Sequence, residues 1–257
     1  MVLLDFDGVL FYTHDEAFYV TVHAMGNHDL FLDSEKLKAD TEQHRKLFKE
    51  YRYLIGDAWH CRILLNLLTV KTNINPDLDV DSAFKEAIAI GKNLTDLNFE
   101  SDFYDSREHI KKNYTQFWCS TFESTNLFES IKKYLSNTVG DDIAIISTKD
   151  ESSIKDILYF YGVKNLKLPI LGKYVFNEFK TKGKVIKNFL EYRMFPKDKH
   201  VLFIDDHAKH LVDFQTECND YYTLSVEAAW GYTDEDKPEH IYSAHETEAL
   251  NRIKQII

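Results

Sequence analysis

Two acidic residues near the start of the chain are the first candidates for chemistry. Asp5 and Asp7 follow the apolar residues 2–4 and precede Gly8. Residues 2–4 are typical of a short buried strand, and residues two apart share one face of a strand, so both carboxylates begin on the same side. Gly8 allows the chain to turn sharply there. Because unpaired carboxylates at the end of a buried strand are costly, and hard cations prefer oxygen ligands, a divalent cation is their natural partner.

Polar residues recur where later strands are predicted to end: Ser147 and Thr148 follow residues 143–146, and Asp205 and Asp206 follow residues 201–204. Lys182 and Gly183 stand directly before a helix whose apolar residues begin at Val185. Lys180 and Lys184 are the alternatives to Lys182, because lysines on such a segment are commonly solvated. These groups together would place acids, hydroxyls and one ammonium at a single edge of a sheet.

The elements that must position these residues alternate between strands and helices from residue 126 onward. Strands are predicted at 143–146, 201–204 and 222–226, with a weaker one at 168–171, and apolar residues at helical spacing separate them. Such alternation favours an α/β fold with a Rossmann-like, doubly wound parallel sheet, in which ligands bind at the carboxyl ends of the strands. Asn126 and Ser152 or Ser153 are predicted helix N-caps.

The region between the first strand and residue 126 has a different pattern of apolar residues. Its apolar spacing predicts helices at 16–25, 35–55, 58–70, 82–94 and 103–122, and no clear strand. Since the strand at 2–4 has no partner until after residue 125, we expect it to join the C-terminal α/β part. The predicted domains are therefore a core of residues 1–12 and 126–257 and an inserted all-α domain of residues 13–125.

This order of motifs resembles that of the haloacid dehalogenase superfamily. The matching segments are Leu4-Asp5-Phe6-Asp7-Gly8, Ile146-Ser147-Thr148-Lys149, Lys182 before a helix, and Phe203-Ile204-Asp205-Asp206. The later residues Ala229-Trp230-Gly231-Tyr232 are similar to a loop of the phosphoglycolate-phosphatase-like members. The resemblance covers residues 1–12 and about 126–257, and it implies that the insertion is the helical (C1-type) cap, which selects the substrate.

The resemblance implies a hydrolase that cleaves a small phosphate monoester with Mg²⁺ as its cofactor. Asp5 would attack phosphorus to form an aspartyl phosphate, and Asp7 would protonate the leaving oxygen and later deprotonate water. Asp5, the Asp7 carbonyl and Asp206 would ligate Mg²⁺, with Asp205 in the same metal site orienting the ligands. Ser147, Thr148 and Lys182 would bind the phosphoryl group.

Tyr12 and His14 are the candidates to meet the substrate, because they follow the first motif directly and lead into the predicted cap. His207 and His210 are interpreted as helix-terminal or surface residues, since a hard cation does not need them. The sequence does not choose among a sugar phosphate, phosphoglycolate and a nucleotide monophosphate.

Composition limits the classes of partner. The net charge of −11, from 31 Lys and Arg against 42 Asp and Glu, argues against nucleic acid, whose binding depends on basic residues. The longest apolar run, at residues 63–68, is interrupted by Asn66 and is too short to span a bilayer. The three cysteines show no CxxC spacing. Together with the absence of a signal-peptide pattern, they predict reduced thiols and a cytoplasmic protein.

Other functions fit these residues less well than a phosphatase, but the sequence leaves them open. A phosphomutase of the same superfamily differs mainly in excluding water, and a catalytically silent protein could keep the fold for binding. The complete acid set argues against the silent protein, because buried carboxylates without a task carry a folding cost. A dehalogenase would lack Asp7. A glycosyltransferase that binds a metal nucleotide would need one DxD pair but not Ser147, Lys182 and the second acid pair.

Overall fold

The structure is a computed structural model that describes residues 1–137, 142–164, 166–233 and 241–256. Its contacts divide the chain into two compact units. The first, here called the core unit, comprises Met1–Tyr12 and Glu123–Ile257. The second, the helical unit, is Thr13–Phe122 and is inserted between the two parts of the core unit.

Strands occur only in the core unit among the described residues. They are β1 (Val2–Leu4), β2 (Phe11–Tyr12), β3 (Glu123–Ser124), β4 (Ile143–Ile146), β5 (Ile170–Leu171), β6 (His200–Asp205), β7 (Tyr222–Ala228) and β8 (Tyr242–Ala244). Six of them form one parallel sheet in the order β5-β4-β1-β6-β7-β8. The antiparallel pair β2–β3 joins the two segments of the core unit where the helical unit is inserted.

The helices fall on both sides of that insertion. The helical unit contains α1 (His14–Ala24), α2 (Ser34–Glu50), α3 (Ala58–Asn73), α4 (Val80–Ala89), α5 (Leu94–Asn113) and α6 (Thr115–Ser120), with 3₁₀ turns at His28–Leu32 and Arg52–Leu54. The core unit contains α7 (Asn126–Asn137), α8 (Glu151–Phe160), α9 (Lys173–Phe179), α10 (Lys182–Tyr192), α11 (Ala208–Glu217) and α12 (Glu246–Ile256). In the described parts of the chain, no helix combines the length and hydropathy needed to cross a membrane.

The predicted α/β fold with a parallel sheet and an inserted helical block is confirmed. The central strand β1 is fully buried, as parallel strands covered on both faces are. Leu3 and Phe203 pack with Ile186 and Leu211 of α10 and α11 on one face. Elsewhere in the core unit, Phe11 of β2 contacts Phe128 of α7, with ring centroids 4.5 Å apart.

Register explains how distant residues reach one edge. Leu4 of β1 pairs with Ile145 of β4 and with Ile204 of β6. The residues that follow these partners therefore leave the sheet at nearly the same level. The carboxyl ends of β1, β4 and β6 meet in the middle of the sheet, where the order of strands along the chain reverses direction.

Several predicted elements have different bounds in the structure. The predicted helix at 82–94 ends at Ala89, because Gly91 adopts a positive φ of 85° and Asn93 caps a new helix that begins at Leu94. The predicted helix at 103–122 is divided between the second half of α5, which ends at Asn113, and the short helix α6 at Thr115–Ser120. Two predicted N-caps are also wrong: Thr125 rather than Asn126 accepts from Phe128 N (3.2 Å). Asp150 rather than either serine accepts from Ser153 N (2.8 Å).

Candidate active site

Asp5 lies at the carboxyl end of the central strand. Its side chain is buried, and its backbone N–H donates to the carbonyl of Ile204 at 2.9 Å, which extends the β1–β6 pairing by one residue. Burial raises the pKa of Asp5 well above its usual value, the neighbouring acids act in the same direction, and Lys182 opposes them. A buried carboxylate in this position needs positive charge beside it.

Lys182 supplies part of that charge. It opens α10, whose N-terminus is capped by Thr181, and its buried Nζ lies 2.6 Å from Asp205 Oδ2 and 2.9 Å from Asp5 Oδ2. Burial works to lower the pKa of Lys182, but the two carboxylates outweigh it and raise the pKa above the usual value. The ammonium is therefore charged and links two strand ends. The alternatives Lys180 and Lys184 are both exposed.

Asp205 is the more fully bonded member of the second acid pair. Besides Lys182, its carboxylate accepts from His207 N at 2.9 Å, and His210 Nδ1 lies 3.0 Å from the same oxygen, Oδ1. Burial tends to raise the pKa of Asp205, yet Lys182 and His210 hold it well below its usual value. The contact of His210 with this buried acid goes beyond the helix-terminal or surface role expected for it.

Asp206 has a different environment. Its Oδ2 accepts from Tyr232 N at 2.8 Å, whereas its Oδ1 is buried without a hydrogen-bond partner. Burial raises its pKa, with Asp205 acting in the same direction and His207 opposing. Because an unpartnered buried carboxylate oxygen is costly, Asp206 Oδ1 marks a place that a cation would satisfy.

Two glycines make room for the Asp206 carboxylate. A Cβ on Gly8, which has a φ of 77°, would lie 1.8 Å from Asp206 Oδ2, and a Cβ on Gly231 would lie 2.4 Å from Asp206 Cβ. The loop that holds Gly231 is fixed to the first motif by Trp230, whose Nε1 donates to the carbonyl of Val9 at 3.1 Å. The DxDG loop and the loop after β7 thus close around one acid.

The acid cluster fits a hard divalent cation. Asp5, Asp205 and Asp206 each offer a carboxylate oxygen, and these oxygens lie within 4.8 Å of one another; within the described ranges, no other set of three acidic, histidine or cysteine side chains does so. One ammonium compensates part of three negative charges. Since both oxygens of Asp205 already have partners, Asp5 and Asp206 are the members with oxygen to offer a metal.

The end of β4 brings Ser147 and Lys149 to the same part of the core unit, while Thr148 is exposed. The Ser147 hydroxyl is buried and accepts from Lys149 N at 3.2 Å, which leaves its proton available to donate. Lys149 Nζ lies 3.6 Å from Asp7 Oδ1. Sequence reasoning missed Lys149, whose contact with Asp7 joins residues far apart in the chain.

The two candidate substrate residues lie in different units. Tyr12, in β2 of the core unit, is half-buried, and its ring meets that of Tyr232 edge-on with centroids 6.3 Å apart. His14 is the first residue of α1 in the helical unit, where burial lowers its pKa to about 3. Tyr12 therefore contacts Tyr232, whose backbone N–H donates to the carboxylate of Asp206.

Comparisons with known proteins agree with the fold. No protein-family model and no curated protein sequence matches the chain. Among solved structures, it is similar to a predicted phosphatase from Clostridium acetobutylicum, with 14% identity, a TM-score of 0.57, and coverage of 99% of this chain and 97% of that one. It is also similar to a hydrolase of the haloacid dehalogenase-like family from Streptococcus pneumoniae (15% identity, TM-score 0.54, coverage 98% and 96%). A third is a predicted phosphoglycolate phosphatase from Haemophilus somnus (14% identity, TM-score 0.56, coverage 98% and 96%).

Proposed function

We propose that this chain, whose fold is that of the haloacid dehalogenase-like hydrolases, is a Mg²⁺-dependent phosphatase that hydrolyses a small phosphate monoester through Asp5. The observation that carries the proposal is the arrangement of Asp5, a buried carboxylate bonded to Lys182, beside Asp206 with its unpartnered buried oxygen. A nucleophile, a fixed cation and a vacant acceptor are the parts that phosphoryl transfer to a carboxylate requires.

In the first step, an oxygen of Asp5 forms a bond to phosphorus as the bond from phosphorus to the ester oxygen breaks. Lys182 engages Asp5 Oδ2, so we assign the attack to the other oxygen of the same carboxylate. The leaving oxygen takes a proton from Asp7 and departs as an alcohol. The product is an aspartyl phosphate on Asp5, and one difficult displacement becomes two easier ones.

In the second step, water attacks the same phosphorus while Asp7 accepts its proton. The bond between phosphorus and Asp5 breaks, inorganic phosphate leaves, and both carboxyl groups return to their starting forms. Lys149, 3.6 Å from Asp7 Oδ1, orients that carboxyl group between its two tasks. We therefore add Lys149 to the residues that support the reaction.

Positive and hydrogen-bonding groups stabilise the charge on the phosphoryl oxygens. Lys182 lies between Asp5 and Asp205 and is held there by both, so it costs little reorganisation as charge moves. The buried Ser147 hydroxyl is the proposed donor to one phosphoryl oxygen. Thr148, which is exposed, is proposed to contribute through its backbone N–H rather than its side chain.

The residues present fit Mg²⁺. We assign its protein ligands to the carboxylates of Asp5 and Asp206 and to the backbone carbonyl of Asp7, with Asp205 positioning Lys182 instead of binding the metal. When bound, Mg²⁺ would neutralise charge between the phosphoryl group and the attacking carboxylate. The buried Asp206 Oδ1, which has no hydrogen-bond partner, supports this assignment.

The helical unit, Thr13–Phe122, is proposed to select the substrate, which is the role expected from the sequence for the predicted cap of residues 13–125. Tyr12 of the core unit and His14 of the helical unit are the first candidates for contact with the alcohol part of the ester. The three free cysteines, Cys61, Cys119 and Cys218, suit a reducing compartment, and we propose a cytoplasmic location on that basis.

The proposal is tested with a panel of phosphate esters: sugar phosphates, phosphoglycolate and nucleotide monophosphates. Release of inorganic phosphate is measured with Mg²⁺ and with chelator, for the native chain, for Asp5→Asn and for Asp198→Asn. Asp198 is an exposed acid of the core unit and serves as the matched control. We expect Mg²⁺-dependent release that Asp5→Asn abolishes and Asp198→Asn leaves unchanged.

Other outcomes separate the alternatives. Conversion of a sugar phosphate to its isomer without release of phosphate would identify a phosphomutase. Absence of turnover for every ester, together with tight Mg²⁺ binding, would identify a silent binding protein. Activity that survives in Asp5→Asn would remove the proposed nucleophile.

A further inference from the structure

Three histidines converge within the helical unit. His23 lies in the last turn of α1, His28 in the 3₁₀ turn His28–Leu32, and His109 in α5. The ring centroid of His23 is 4.2 Å from that of His28 and 5.0 Å from that of His109. None of these residues takes part in the proposed phosphatase reaction. Imidazole is the most common protein ligand for transition metals, so the cluster is a candidate metal site.

The nitrogen positions of the first pair suit two ligands of one metal ion. His23 Nε2 and His28 Nδ1 lie 3.1 Å apart. Two imidazole nitrogens on a tetrahedral Zn²⁺, each about 2.0–2.1 Å from the ion, lie roughly 3.3 Å apart. Binding of one ion would replace this hydrogen bond if the two rings moved slightly apart and turned so that an unprotonated nitrogen of each pointed at the ion.

His23 also has the outer partner that a ligating histidine usually has. Its other ring nitrogen, Nδ1, lies 2.9 Å from the hydroxyl of Ser106, and both residues are buried. A histidine whose Nδ1–H donates to such a group keeps Nε2 unprotonated and its ring fixed. The ring of Phe31 meets that of His23 edge-on at 5.0 Å and shields it on another side.

The third histidine is close but stacked. His109 is exposed, and its ring is inclined by 32° to that of His23, so the two rings lie nearly face to face. Its place in α5, three residues after Ser106, puts it on the same side of that helix. The ring nitrogens of the three histidines do not all lie within 4.8 Å of one another, so His109, which is exposed, would have to turn about its side-chain bonds to bring a nitrogen to the first pair.

We propose that His23, His28 and His109 form a binding site for a borderline transition-metal ion such as Zn²⁺, with water as the fourth ligand. The site is separate from the acid cluster in chemistry as well as in sequence. Imidazole selects zinc and its neighbours in the first transition series, whereas carboxylates select Mg²⁺. The proposal does not depend on the phosphatase function.

The test is a calorimetric titration of the tag-free chain with Zn²⁺. Excess Mg²⁺ is present so that the acid cluster is saturated. The variants are His28→Gln and His109→Gln, and the control is His245→Gln, an exposed histidine of the core unit. Because all three positions are exposed, none of the substitutions threatens the fold. We expect one tight equivalent of Zn²⁺ in the native chain and in the control. Each cluster variant should bind at least about tenfold more weakly, since even loss of an outer partner costs about 10–100-fold.

Co²⁺ provides a second readout that activity does not influence. A tetrahedral site gives an intense visible absorption that octahedral oxygen sites lack, and it should vanish in both cluster variants. Equal Zn²⁺ affinity in all four proteins would overturn the proposal. An effect of His28→Gln without one of His109→Gln would overturn the three-histidine assignment, because only two ligands would then be engaged.

Discussion

Lys182 permits the sharpest test of the electrostatics of the site. Replacing it with Met keeps much of the side-chain volume but removes the charge that lies 2.9 Å from Asp5 and 2.6 Å from Asp205. Two buried carboxylates would then lack their counter-charge. Removing one partner of a buried ion pair costs about 3–5 kcal/mol, because the remaining charge is left uncompensated.

The loss of stability has an upper limit, because the protein can protonate one carboxylate instead. Starting from an ordinary pKa of 3.8, neutralising one aspartate costs about 4 kcal/mol at pH 7 and about 2 kcal/mol at pH 5. The raised pKa of that aspartate in the folded variant means that its contribution is favourable at low pH and is lost as pH rises. In the native chain, the lowered pKa of Asp205 acts in the opposite direction. The difference between the two proteins should therefore shrink as pH falls.

Urea unfolding in chelator, followed by circular dichroism at pH 7 and pH 5, measures this difference. Lys182→Met should lose about 4 kcal/mol of unfolding free energy at pH 7 and roughly half of that at pH 5. Adding Asp205→Asn should restore a large part of the loss, since one of the uncompensated charges is removed. Lys184→Met, at the exposed neighbour, should change stability by less than about 0.5 kcal/mol. A loss in Lys182→Met below about 1 kcal/mol, or one that does not depend on pH, would refute the reasoning.

Three further predictions concern other parts of the chain. Gly8→Ala should weaken Mg²⁺ binding, because its Cβ would lie 1.8 Å from Asp206 Oδ2, whereas Gly26→Ala, which also has a positive φ but open space around it, should not; a Mg²⁺ titration of thermal stability compares the two. His14→Gln should gain stability relative to the native chain as pH falls below 6.5, by about 2 kcal/mol at pH 5, because the lowered pKa of about 3 makes the native histidine costly to protonate; parallel urea curves at pH 7.5 and 5 check this. Cys61, whose pKa burial raises to about 11, should resist iodoacetamide at pH 8 in the folded chain and react once it is unfolded; rapid alkylation of the native protein, read by mass spectrometry, would be the contrary result.

The parts of the fold that the sequence predicts well are those with strong local patterns. Residues 143–146 and 201–204 are continuous apolar runs, and parallel strands place their carboxyl ends at one edge, so Asp5, Asp205 and Lys182 could be expected near one another. The structure places them within hydrogen-bonding distance. Their catalytic roles rest on the proposed function.

Weak local signals explain what was missed. Strands β2 and β3 contain two residues each, and β8 contains three, which is too short for any alternation to register. Helix α9 has only seven residues, and its apolar residues Val175, Phe176 and Phe179 are only partly buried against the core, so its helical pattern is too short to stand out. The contacts of Lys149 with Asp7 and of His210 with Asp205 join side chains through tertiary structure. Propensity and spacing alone do not specify such contacts.

Direct identification of a phosphorylated residue tests the central claim most sharply. The native chain would be mixed with a radiolabelled ester that it turns over and quenched in acid within one turnover. Label bound to the protein would be counted in one portion, and a second portion would be reduced with borohydride, which replaces the acyl phosphate by an alcohol, and digested for mass spectrometry. The account predicts one reduced, formerly phosphorylated aspartate, at Asp5, and none in Asp5→Asn. Turnover of the ester with label on another residue, or with no covalent label at all, would contradict it.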